Sequence, residues 1–302
     1  MKIEVPDELA GFHAQFRGDE GRAWVTGLPA LAESYLERWD LRLDGPPRHG
    51  MVALVLPVLG SDGSKAVLKL QHVDEEHQGE GDALRAWAGD GAVLVYDEGH
   101  EALLLERLDA DRPLTTMPDP DAACAVIASL LVRLHAHPAP PAVPPLSQVV
   151  SGMLSAVPQT LEGMSSPDER AALRYWASAL EDVSAVPGER LLHWDLHFDN
   201  VLAATREPWL AIDPKPLRGD PGFDLLPALH NRWDEIVATG DVARAVRRRF
   251  DIMAEILALP RDRAVAWTLG RVLQNSIWEI KDGSHTLDSV QLAIAAALNQ
   301  LR

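Results

Sequence analysis

Between Leu191 and Asp213 the chain runs LLHWDLHFDNVLAATREPWLAID. Asp195 is followed by Asn200 in an H-x-D-x-x-x-x-N frame that begins at His193, and an apolar run from Pro208 to Ile212 then delivers Asp213. Magnesium is a hard cation that takes oxygen ligands and reaches proteins through one or two carboxylates plus substrate phosphates. Asn200 and Asp213 can supply such oxygens. A loop between the short apolar segments Leu191–Leu192 and Val201–Leu202 leaves Asp195 to face an acceptor hydroxyl, orient it and take its proton. Phosphoryl transfer asks for positioning and electrostatic stabilisation more than for covalent help, so this spacing points to kinase chemistry.

Asp and Asn are also common turn formers that bond their own backbone, and any one of them alone would say little. Asp213 closes an apolar strand and is followed at once by Pro214, an odd place for a mere turn, although Asp-Pro does initiate turns. His193 is expected to brace the loop. A competing reading sets His193, Asp195 and His197 on one face of a strand, where they could hold zinc or iron. His135 and His137, two apart at the end of a helical pattern, point to different faces and read as structural.

The elements that must position these groups lie upstream. Met51 to Leu70 reads as two apolar strands joined by a turn at Gly60–Gly63, with Lys69 inside the second strand. Alone, Lys69 could be an edge-strand lysine that discourages aggregation. Glu80 opens EGDALRAWAG, where Ala83, Leu84 and Trp87 recur at helical spacing, and a Lys69–Glu80 pair would aim the ammonium at the α- and β-phosphates of a nucleotide. Glu75 and Glu76 are nearer but fall in a polar connector. Gly45–Gly50, GPPRHG, stands where a phosphate-covering loop is expected and is a poor glycine motif. Ala102 to Leu108, ALLLERL, reads as a buried strand entering a hinge, with backbone groups near Glu106 to Leu108 placed to bond an adenine edge. The chain has no P-loop, no Rossmann fingerprint and no G-x-S-x-G elbow.

On LLHWDLHFDNVL and REPWLAIDPKPLRGDPGFDL, with VLKL, EGDALRAW and ALLLERL in order before them, the chain resembles the aminoglycoside phosphotransferase family, and within it the streptomycin and hydroxyurea phosphotransferases. The recognisable pieces run from about Val52 to Leu229. The resemblance implies an α+β, protein-kinase-like bilobal fold, with a small β-rich N-lobe over residues 1–107 that carries one helix, and a larger, mainly helical C-lobe over 108–302. It implies ATP and Mg²⁺ as cofactors, Asp195 as base, Asn200 and Asp213 as metal ligands, Lys69 with Glu80 as the phosphate-positioning pair, and a self-resistance role. Two departures from kinases at large are Trp194, where the wider group often has glycine, and Asp213-Pro-Lys in place of Asp-Phe-Gly. No phenylalanine switch is expected.

At 302 residues and 47% apolar content, the chain suits two lobes with sizeable cores. The formal charge of −17 disfavours nucleic acid and anionic membranes as partners and favours a cationic small molecule. The one cysteine, Cys124, sits on the apolar face of a helix expected over Asp121–His137, which fits a buried, inert thiol and a reducing cytoplasm. The start, MKIEVPDELAGF, has no signal-peptide pattern, and no apolar run spans a bilayer, so a cytoplasmic location is expected. Proline-dense 138–145 reads as an extended connector. Helical patterns follow at Gly222–Thr239, Asp241–Leu259, Arg261–Lys281 and Thr286–Leu301. The acceptor site is expected between the catalytic loop and these helices, with Trp194, Trp233, Asp234, Glu235, Trp278 and Glu279 as candidates. Asp220 and Asp224 are expected to cap the following helix or tie it to the catalytic loop.

Overall fold

The computed structural model describes residues 3–72 and 79–299; Glu75 and Glu76 lie outside them. The N-terminal part begins with α1 (Asp7–Arg38), bent at Gly18, whose φ of 57° and ψ of −130° are open to glycine. The two halves of the bend pack so closely that a Cβ on Gly21 would lie 2.2 Å from the His13 carbonyl oxygen. The sequence predicts one helix in this lobe, and α1 is a second beside the helix at Glu80–Trp87.

A six-stranded antiparallel sheet follows. Its strands are β1 (Leu41–Leu43), β2 (Arg48–His49), β3 (Ala53–Gly60), β4 (Lys65–Gln71), β5 (Val95–Gly99) and β6 (Ala102–Glu106), in the order β1-β3-β4-β6-β5 with β2 against β3. Between β4 and β5 lies α2 (Glu80–Trp87). Side chains alternate between the faces of a strand, and α1 claims one face: Leu9, Leu28, Ala32 and Tyr35 pack on Leu54, Leu56, Leu68 and Leu70. Lys69, between Leu68 and Leu70, is thereby turned to the opposite face, beside its cross-strand partner Leu103 and toward α2. The apolar face of β4 thus fixes where its lysine points.

After β6 the chain leaves this sheet. Arg107 anchors the crossing by donating to the Ala66 carbonyl at 3.0 Å and to Asp44 at 2.5 Å. Then β7 (Asp109–Pro113) joins a second small sheet, ordered β10-β9-β7, with β9 (Val201–Ala203) and β10 (Trp209–Ala211). A two-stranded ribbon pairs β8 (Arg190–Leu192) with β11 (Leu217–Gly219). The segments flanking the catalytic loop therefore belong to two different ribbons, and the loop bridges them.

The rest is helical: α3 (Pro120–Leu134), α4 (Leu146–Gly163), α5 (Pro167–Ser184), α6 (Leu226–Leu229), α7 (Trp233–Ala238), α8 (Val242–Ile256), α9 (Arg261–Lys281) and α10 (Ser289–Asn299). Asp119 caps α3 by accepting from the Asp121 and Ala122 amides, with Pro120 in the first turn. The long α9 is buried almost all round and packs against α4, α5, α8-bound α10 and the turn at Pro221–Asp224. Trp87, Trp176, Trp267, Phe198, Phe223 and Phe250 are fully buried, and burial of each such side chain stabilises the fold by roughly 1.5–3 kcal/mol.

The helix expected over Gly222–Thr239 is instead a short 3-10 turn, α6 and α7. Pro227 restarts the chain, and Arg232 takes a left-handed φ of 50°. Asn231 turns outward there, its side-chain oxygen accepting from the Phe198 amide at 2.8 Å, so helix continuity yields to a contact with the catalytic loop. No helix among the described residues is long and apolar enough to cross a membrane.

Candidate active site

The β9–β10 hairpin sets the centre of the site. Val201 faces Ala211 across it, and just beyond, the Ile212 amide donates to the Asn200 carbonyl at 2.9 Å. Asn200 and Asp213 therefore emerge side by side at one end of the hairpin. The Asn200 amide nitrogen donates to the Asp195 carbonyl at 2.9 Å, which ties the loop's aspartate to the same point and directs the amide oxygen elsewhere. Asn200 is 8% exposed. One amide oxygen beside one carboxylate is a hard-oxygen donor set that fits magnesium.

Lys69 reaches this point from β4. Its Nζ lies 2.7 and 2.8 Å from the two Glu80 oxygens and 2.5 Å from Asp213 Oδ1. Burial, the largest influence, disfavours the ammonium, but Asp213 and Glu80 together outweigh it and hold the group above the usual lysine range. One lysine thus joins the sheet, α2 and the hairpin end. A second lysine, Lys215, lies 3.3 Å from Asp195 Oδ2. In the sequence it stands out only as part of Asp213-Pro-Lys.

Two residues here hold left-handed backbone without being glycine: Trp194 at φ 66° and Asp213 at φ 58°. Such conformations cost about 1–2 kcal/mol each and persist only where neighbours over-determine them. For Trp194 the neighbours are evident. Asp224, fully buried, accepts from the Trp194 amide at 2.6 Å, from the His193 amide at 3.0 Å and from His135 Nε2 at 2.8 Å. Arg271 sits over the Trp194 ring at 5.2 Å and the Trp278 ring at 5.5 Å, and donates to Gln274 Oε1, which also accepts from Trp194 Nε1 at 3.3 Å. Asp220, as expected of a cap, accepts from the Gly222 amide at 2.9 Å and pairs with Arg263.

His193 is fully buried, stacked on Trp87 and bonded through Nε2 to the Ile212 carbonyl at 3.0 Å. Burial pushes its imidazole below the usual histidine range, so it is a neutral brace. Residues 193–197 are loop, not strand, and among the described residues no group of three His, Cys, Asp or Glu could hold a metal ion, which removes the zinc or iron alternative. His135 and His137 contact Asp224 and Asp90. Cys124 is buried, and burial pushes its thiol up to about 12.

The remaining candidates separate into two groups. Trp278, 38% exposed, lies with its ring centre 6.2 Å from that of Trp194, and Glu279 beside it is half-buried, its carboxyl raised first by burial and then by Asp288. Trp233, Asp234 and Glu235 lie on α7. Asp234 and Glu235 are exposed; Glu235 pairs with Arg232 at 2.5 Å and lines a surface cavity of about 380 Å³ with Asp121, Arg244 and Arg248. None of Lys69, Asp195, Asn200 and Asp213 lines that cavity. At the lobe crossing, the Glu106 side chain is committed to Arg206 at 3.0 Å and to the Leu94 amide, while its own amide donates to the Leu94 carbonyl at 2.9 Å; Leu108 is half-buried against the core. Arg206 also donates to the Gly89 and Ala92 carbonyls, so it fastens the hairpin turn to the N-lobe. Arg206 and Lys215 fall within the motifs, yet nothing local marks their contacts, and Arg271 and Gln274, on α9, carry no local sequence signal.

A small antiparallel sheet set over a helical body, with an aspartate and an asparagine tied together beside a second aspartate that meets a buried lysine, defines a kinase-like phosphotransferase with an alcohol group as acceptor. The chain belongs to the aminoglycoside/hydroxyurea antibiotic resistance kinase family, whose model matches residues 38–283. It is 51% identical over 298 residues to streptomycin 6-kinase of Streptomyces griseus, covering 98% of this chain and 97% of the relative. It is 50% identical over 300 residues to hydroxyurea phosphotransferase of Kitasatospora aureofaciens, covering 98% of this chain and 86% of the relative. In fold it is similar to a thermostable mutant of aminoglycoside phosphotransferase APH(4)-Ia in ternary complex with ADP and hygromycin B, with a TM-score of 0.59 and 15% identity over 88% of this chain and 97% of that one.

Proposed function

We propose that this protein transfers the γ-phosphoryl group of ATP to a hydroxyl of streptomycin and so confers resistance to it. The observation that carries the reading is the convergence of Asp195, Asn200 and Asp213 at one hairpin end with the Lys69–Glu80 pair. Asp195 orients the acceptor hydroxyl and takes its proton. Lys69, steadied by Glu80, holds the α- and β-phosphates. Asn200 and Asp213 would hold Mg²⁺, which when bound neutralises charge on the phosphate oxygens. With the Glu106 amide donating to the Leu94 carbonyl, the adenine edge falls to the remaining backbone groups from Glu106 to Leu108. Trp278 and Glu279 supply an aromatic face and a carboxylate to a guanidinium-bearing acceptor, with Trp194, buried under Arg271, shaping the pocket beside Trp278, and the charge of −17 draws such a cation in. A cytoplasmic site of action suits a chain whose one thiol is buried. Glu235, paired with Arg232, lines a separate cavity with Arg244 and Arg248, so α7 with Trp233 and Asp234 is given no part in holding the cation.

The 50% identity to hydroxyurea phosphotransferase supports a second acceptor, hydroxyurea. ATP consumption is measured with streptomycin, a panel of amino sugars, hydroxyurea and no acceptor, for the intact protein and for Asp195→Ala. Turnover is expected with streptomycin and lost by about 10²–10⁴-fold in Asp195→Ala with ADP binding kept. Turnover with hydroxyurea or a sugar alone would sink the streptomycin assignment, and full activity of Asp195→Ala would sink the base.

A further inference from the structure

We propose that Lys215 contacts the transferring phosphoryl group and so supplies, from outside the catalytic loop, a cation the loop does not contain; this rests on the phosphotransferase reading above. The phosphoryl oxygens carry negative charge through the transition state, and they must pass between two carboxylates, Asp195 and Asp213. From Leu196 to Asp199 the loop reads LHFD, with no lysine or arginine. Lys69 is held on the nucleotide side, with a side chain 8% exposed between Glu80 and Asp213. The acceptor side needs its own positive charge.

Lys215 is built for that side. The left-handed turn at Asp213 and the fixed φ of Pro214 reverse the chain, and the Lys215 amide then donates to the His193 carbonyl at 3.0 Å. Two residues later, Leu217 pairs with Leu192 in the β8–β11 ribbon. The Lys215 backbone is therefore clamped to the entrance of the catalytic loop from both directions. Its side chain returns to lie with Nζ 3.3 Å from Asp195 Oδ2, and it is 30% exposed against 8% for Lys69. An ammonium has three N–H donors, so one can stay on Asp195 while another turns to a phosphoryl oxygen. In the transfer, the acceptor oxygen forms its bond to Pγ as the bond from Pγ to the β–γ bridging oxygen breaks. The hydroxyl proton passes to Asp195, the bridging oxygen keeps the electron pair and ADP leaves.

The test compares Lys215→Met, Lys215→Gln and Lys215→Arg with the intact protein, reading kcat, the KM for each substrate, and binding of ADP with and without aluminium fluoride in the presence of magnesium and streptomycin. In Met and Gln variants kcat falls about 10²–10³-fold, as for loss of one preorganised oxyanion donor, while ADP alone binds as before and the tightening by aluminium fluoride is lost. Arginine restores part of both. Met or Gln variants with unchanged kcat, or with aluminium fluoride tightening intact, would overturn the proposal while leaving the kinase reading standing. An intact protein that turns over no acceptor would overturn both. Retained ADP binding separates any of these from misfolding.

Discussion

Asn200 and Asp213 are coupled through the main chain: the residue before Asp213 donates its amide to the Asn200 carbonyl at 2.9 Å, across the end of the β9–β10 hairpin. Their mutual position is set by a ladder hydrogen bond and not by loop packing, so it is as rigid as the hairpin. A donor pair held this way can meet a cation without rearranging.

Asp213→Asn and Asn200→Ala should each weaken binding of ADP in the presence of magnesium by at least about tenfold, or about 1.4 kcal/mol, and leave binding without magnesium unchanged. Calorimetric titration with and without the metal reads the difference. Equal loss under both conditions would assign these residues to the fold and not to the ion.

Glu80→Ala removes one of the carboxylates around a buried ammonium. Breaking a buried pair from one side costs roughly 3–5 kcal/mol; with Asp213 still 2.5 Å from Lys69, the lower end, about 3 kcal/mol, is expected. Urea unfolding midpoints check this, and the KM for ATP should rise in parallel. A stable variant with normal KM would show that Lys69 needs only Asp213.

Trp194→Gly relieves a left-handed non-glycine residue but removes one of the two rings that Arg271 covers, the one beside Trp278. Steady-state kinetics should give a KM for streptomycin about tenfold higher, since an aromatic or cation–π contact contributes about 1–2 kcal/mol, and an unchanged KM for ATP. A change confined to ATP would remove Trp194 from the acceptor pocket.

His230 is pushed down to about 4, by burial first and then by His197 and Arg271, so the folded protein keeps it neutral. Below its unfolded value of about 6.5 the unfolded chain binds a proton that the folded chain refuses. Its contribution to stability is therefore complete above pH 6.5 and lost as pH falls toward 4. His193, lowered by burial, acts in the same direction. Denaturant midpoints at pH 7.5 and 5 should fall less steeply in His230→Asn than in the intact protein. Identical slopes would clear His230 of the effect.

Much of the site could be read in the sequence because it is local. The alternation of β4 separates Lys69 from Leu68 and Leu70, β10 ends two residues before Asp213, and Asp195 and Asn200 are only five residues apart. Periodicity also gave α8, α9 and the strand pair around Gly60–Gly63. It failed over Gly222–Thr239, where three helical pieces replace one, because Asn231 is drawn to the Phe198 amide. It was silent on α1, whose low amphipathic contrast hides the face that covers the sheet.

What the sequence alone determined was the set of chemical groups, their order and the strands that carry them, since these depend on side-chain type and on backbone periods a few residues long. Only the tertiary structure decided that Lys69 meets Asp213 across 144 residues, that Arg271 and Gln274 hold Trp194 from α9, and that Lys215 turns back onto Asp195. Such contacts follow from which apolar faces bury against one another. Burial is a property of the whole chain, and no spacing within a motif encodes it.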